Sequence, residues 1–133
     1  MFVLQKRALR TMLKLHYIEH CKDYFKLHEI LPLPCLYILD CVTFVKKHPD
    51  IFRHEQKVHS YETRNINQKI KLPKTRLKLV DNGPYCKCIV LYNKLPEFYK
   101  MLNNLSFFKS EVKKLLLRHC FYSVKEYLAF NFD

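Results

Sequence analysis

The residues able to do chemistry are abundant but poorly arranged for it. Asp and Glu together number twelve, and two-metal phosphoryl transfer needs carboxylates paired so that both hold the ions. No two Asp are adjacent, and the acids are scattered singly, so that catalysis is not expected in this chain. Cys86 and Cys88 are separated by one residue, whereas zinc ligands are usually separated by about two to four, with a second pair beyond. His16 and His20 have helical spacing, but Glu19 directly precedes His20 instead of following His16. The His-Glu-x-x-His arrangement is therefore not met. Six Cys and seven His allow a Cys–His nucleophile by abundance alone, with no local signature for one. The single glycine, Gly83, leaves no P-loop and no dinucleotide fingerprint. No catalytic residue, metal ligand or cofactor is assigned, and the chain is not expected to be an enzyme by itself.

The charge balance points elsewhere. Lys and Arg number 24 against twelve acids, a formal charge of +12 on 133 residues. Such a surface repels itself unless an anionic partner screens it. Nucleic acid is the first class of partner and an anionic membrane surface the second. The start of the sequence lacks an apolar core of signal-peptide length, and no run reaches transmembrane length. Reduced thiols, an intracellular setting in cytoplasm or nucleus, and no membrane association are expected.

The elements that must position these residues read as one mainly α domain over 1–133, with one short β-hairpin packed on the helices. Residues 3–16 form an amphipathic helix with Leu4, Ala8, Leu9, Met12 and Leu15 inward. Lys6, Arg7, Arg10 and Lys14 fall opposite, as a solvated face or as a stripe that tracks phosphates. A short helix follows over 21–28. Leu31-Pro32-Leu33-Pro34 breaks the chain, and a helix over about 35–47, apolar almost all round, should be central. Residues 50–75 are polar and read as an irregular or mobile segment. Arg76 to Val80 alternates like a strand, Asp81-Asn82-Gly83-Pro84 signals a turn, and Cys86 to Leu91 reads as a second strand. Leu95-Pro96 opens a short helix. Ser106 is placed as the N-cap of a helix to about Cys120, with Phe108, Val112, Leu115, Leu116 and His119 inward. Lys109, Lys113, Lys114 and Arg118 then lie outward. Ser123 and Glu126 are spaced as a capping box for a last helix to Phe130. Tyr61, Arg64, Tyr85, Tyr92 and Tyr99 sit among cations and offer planes for unpaired bases. Tyr92 and Tyr99 read better as core aromatics with a polar tip.

Several short blocks carry a resemblance. Leu4-Gln5-Lys6-Arg7-Ala8-Leu9-Arg10, Ile30 to Ile38, His59-Ser60-Tyr61-Glu62-Thr63-Arg64-Asn65, Leu91-Tyr92-Asn93-Lys94-Leu95-Pro96, and Phe107 to Tyr127 occur in that order. Together they resemble the segment that follows the polymerase domain in reverse transcriptases of jockey-like non-LTR retrotransposons. The resemblance implies a fragment of a larger polyprotein with endonuclease and RNA-directed DNA polymerase upstream, and the polymerase part as a partner. The tail would help hold RNA or DNA, a role drawn from charge. Lys6, Arg7, Arg10 and Lys14, then Arg64, then Lys109, Lys113 and Lys114, are the candidate backbone contacts. Arg64 would bind a phosphate or fasten its own loop to a helix end. A structural or interaction remnant of a decayed element is the alternative.

Overall fold

The computed structural model describes residues 1–53, 70–73, 76, 80 and 83–132. Eight helices are bounded within these residues, and none of the described residues belongs to a β-strand. They are α1 (Phe2–Met12), α2 (Lys22–Leu27), α3 (Leu33–Lys47), α4 (Pro49–Arg53), α5 (Pro84–Lys94), α6 (Glu97–Met101), α7 (Leu105–His119) and α8 (Val124–Ala129).

The expected hairpin is therefore corrected. Its second strand, Cys86 to Leu91, lies inside α5. Pro84, read as part of the turn signal, is in the first turn of that helix, where its missing N–H costs nothing. Of the first strand, 77–79 lie outside the described residues and Val80 is helical. A short apolar run is compatible with a buried strand or a buried helix, and periodicity cannot separate the two. Here Cys86, Cys88, Ile89, Leu91 and Tyr92 are all buried, which covers most of the circumference of α5. Most of the segment expected to be irregular, 50–75, falls outside the described residues, but 50–53 belong to α4.

α3 is the central helix and packs chiefly on α5 and α7. Cys35, Ile38, Val42 and Val45 line its inner side and are buried with Ile89, Leu91, Phe108, Val112 and Leu116. Pro32 caps the helix in an extended conformation and Pro34 sits in the first turn. The amide of Leu33 donates to Gln5 Oε1 at 2.7 Å, and Gln5 Nε2 donates to the Leu31 carbonyl at 2.8 Å. Gln5 thus joins α1 to the start of α3 and satisfies an N–H that the helix leaves unpaired. A second, smaller cluster of Leu9, Cys21, Phe25 and Cys120 seats α1 and α2 against the loop after α7.

The end of α5 is closed by distant side chains. Tyr127 Oη donates to the Leu91 carbonyl at 3.2 Å, and Lys100 Nζ donates to the Asn93 carbonyl at 2.9 Å. Both acceptors belong to the last turn, which has no helical donor for them. Asn93 itself does not cap α6. Its amide group donates to the Ile70 carbonyl at 2.8 Å and accepts from the Ile70 amide at 2.9 Å. The N-cap of α7 is Asn104, two residues before the expected Ser106, and its Oδ1 accepts from the amides of Ser106 and Phe107. Ser123 caps α8 as expected, accepting from the Glu126 amide at 3.1 Å. Glu126 closes the turn one residue earlier than a standard capping box, on the amide of Tyr122 at 2.7 Å.

Burial makes the core sensitive to alkali. All six thiols are free and buried. Desolvation pushes Cys35 up to about 12 and Tyr122 likewise to about 12, and it raises Cys88 in the same direction. A group whose folded pKa exceeds its unfolded one keeps its contribution below the unfolded value and loses it as pH rises toward the folded one. The melting temperature should hold from neutral pH to about 9 and fall between about 9 and about 12. A level melting temperature across that interval would contradict the buried placement of these groups.

Candidate nucleic-acid interface

The four cations expected to form one stripe on α1 are divided by the fold. The helix is rotated by about a quarter turn, roughly one residue, from the inward face read from its Leu and Met positions. Phe2, Leu9 and Leu13 face the body, whereas Leu4 is 62% and Met12 74% exposed. Lys6 consequently turns inward, with Nζ 4.8 Å from the Phe2 ring centre and 5.5 Å from that of Tyr122. Arg10 donates from Nε at 3.2 Å and Nη2 at 3.0 Å to the Glu19 carbonyl, which ties the loop between α1 and α2 to the helix. Arg7 remains exposed on α1. Lys14 is exposed but lies beyond the end of α1, at φ 53°. Arg64 and Tyr61 lie outside the described residues.

α7 carries its cations as the periodicity requires. Phe108, Val112, Leu115 and Leu116 are buried, and Lys109, Lys113, Lys114 and Arg118 are exposed. Lys109 and Lys113 are one turn apart on one flank, and Lys114 and Arg118 on the other. Lys114 pairs with Glu111 at 2.7 Å.

A further group of cations is assembled by tertiary structure. Lys22 and Lys26 of α2 approach the end of α7, beside Arg118 and His119. His119 is pushed down by desolvation first, then by the positive charges of Arg118, Lys26 and Lys22. Lys22 Nζ lies 5.8 Å from the Tyr122 ring centre, so Lys6 and Lys22 both approach that ring. The Lys22–Glu126 pair at 3.5 Å offsets part of this charge. The only hint of the group in the sequence is the one-turn spacing of Lys22 and Lys26. Nothing local links them to Arg118, more than ninety residues later.

Between described residues there are two ion pairs, Lys22–Glu126 and Lys114–Glu111. Most of the described Lys and Arg side chains, among them Arg7, Lys14, Lys26, Lys109, Lys113 and Arg118, are exposed. Among the described residues no group of His, Cys, Asp and Glu is placed to hold a metal ion. Cys86 and Cys88, two apart on α5, point to nearly opposite sides of that helix, about 200° around it. Tyr92 is buried and Tyr99 packs against the core, so neither offers a free face to a base. Tyr85 is 38% exposed, stacks on Phe52 and donates to the Ile51 carbonyl at 3.2 Å. No helix among the described residues is long and apolar enough to cross a membrane. Compared with protein-family models, curated proteins and solved structures, the chain matches none of the three.

Proposed function

We propose that the chain is a non-catalytic, basic nucleic-acid-binding segment, the C-terminal tail of a jockey-like non-LTR retrotransposon reverse transcriptase. It holds RNA or DNA backbone beside the polymerase part of its parent polyprotein. The observation that carries this reading is the excess of 24 cations over twelve acids, with two ion pairs between described residues. Cations left in water and not spent on internal pairing are available to replace the counterions of a phosphate chain. Arg7, Lys14, Lys109 and Lys113 are exposed, and Lys114 reaches phosphate by yielding Glu111. Lys22, Lys26 and Arg118 extend the set. Lys6 and Arg10 serve structure first, through the Phe2 and Tyr122 rings and the Glu19 carbonyl. The buried, free thiols fit a reducing intracellular compartment.

The test is fluorescence anisotropy of the full chain with a labelled RNA strand and a DNA duplex, titrated with salt. Lys109→Glu with Lys113→Glu should lower the slope of log affinity against log salt by about 1.5 to 2, close to one unit per phosphate contact. The urea midpoint of that variant should not change, because both side chains are exposed. No binding at low salt would remove the reading.

A second reading, an interaction or structural remnant, is favoured by apolar surface. Val3, Leu4 and Met12 on α1 and Tyr37 and Phe44 on α3 are 42% to 74% exposed, more than scattered surface apolar residues would explain. Self-association without nucleic-acid binding would select it.

A further inference from the structure

We infer that the strand held by α7 is unpaired, and that Phe107 is the platform on which one of its bases stacks. The inference rests on the nucleic-acid reading above and names the state of the ligand.

Phe107 is 51% exposed, although it stands next to Phe108, which is fully buried. Among the described residues it stacks on no other ring. Its backbone is fixed, because its amide donates to the Asn104 cap at 3.3 Å.

Helical periodicity places Lys114 and Arg118, seven and eleven residues on, along the same stripe of α7 as Phe107. At 1.5 Å per residue these charges stand about 10 and about 16 Å from the ring along the axis. Glu111 shares the stripe and is held by Lys114. α7 as a whole carries Lys109, Lys113, Lys114 and Arg118 against the single acid Glu111. On α6, which packs against α7, Phe98 is 63% exposed and offers a second ring.

Charge complementarity selects an anionic partner, and the exposed ring narrows it further. An unpaired polynucleotide presents both negative charge at every residue and flat base faces, and aromatic–base stacking is indifferent to sequence. A duplex turns its base faces inward and would use the cations alone.

The experiment compares a labelled uridine strand of about twelve nucleotides with a duplex of similar length, binding the full chain at one salt concentration. Phe107→Ala and Phe107→Leu should weaken strand binding by about 5- to 100-fold. Duplex binding should be unchanged, and Phe107→Tyr should retain strand affinity. Phe107→Leu keeps the apolar surface and helix while removing the π face, so it separates stacking from apolar docking. Native affinity in Phe107→Leu, or an equal loss on strand and duplex, would overturn the inference and leave the nucleic-acid reading standing. Absence of binding to both probes would remove the reading beneath it.

Discussion

Replacing Val90 by proline is expected to destabilise the protein by at least about 3 kcal/mol, enough to unfold a marginal domain. Val90 lies in the interior of α5, six residues after Pro84. Proline there removes a helical N–H and drives its ring into the carbonyl of Cys86. Val90→Ala is the control, since alanine favours helix and removes only partly buried methyl groups. Urea denaturation followed by far-UV circular dichroism reads both. A β-hairpin would order the effects differently. An edge strand tolerates proline where its N–H faces solvent, and Val90→Ala would then be costly through lost β-propensity. A Val90→Pro variant as stable as the native chain would overturn the helical assignment of 84–94.

That contrast marks where local sequence stops being informative. α3 and α7 are legible because their signals are redundant. α3 has Pro34 at its start, Lys46 and Lys47 at its end and a long apolar run between. α7 repeats buried Phe108, Val112, Leu115 and Leu116 against outward cations. α5 lacks that redundancy, because a helix buried on most sides shows neither a polar stripe nor a clean period. α1 fails differently. Two apolar faces are available on it, one through Leu4 and Met12 and one through Phe2, Leu9 and Leu13, and local periodicity does not rank them. The choice is made by Phe25 of the next helix and by Tyr122, about 120 residues after Phe2, whose rings meet that of Phe2. The same choice divides the cation stripe. Once Phe2 and Leu9 turn inward, Lys6 must lie over aromatic rings and Arg10 must reach the Glu19 carbonyl. The motif residues Gln5 and Asn93 follow suit, for each clamps a backbone segment distant in sequence.

Phe108→Ala is expected to cost about 3–5 kcal/mol, the range for emptying a buried aromatic site. The ring is wholly inaccessible to solvent and belongs to the main core with Val112 and Leu116. Lys46 Nζ lies 5.6 Å from its centre, so the truncation also removes a cation–π contact between α3 and α7. Phe108→Leu retains much of the volume and should cost less, because the penalty grows with the cavity left behind. The functional consequence distinguishes the two sides of α7. Phe108→Ala should lower the urea midpoint and abolish nucleic-acid binding only where the chain is unfolded. Lys109→Glu with Lys113→Glu should leave the midpoint in place and lower the salt slope. If Phe108→Ala folds as stably as the native protein, the core assigned to α7 is wrong, and its outward cations lose the scaffold that holds them in one row. If instead it is destabilised but binds normally wherever it remains folded, the inner face of α7 governs stability and its outer face governs binding, which is the division the helix periodicity requires.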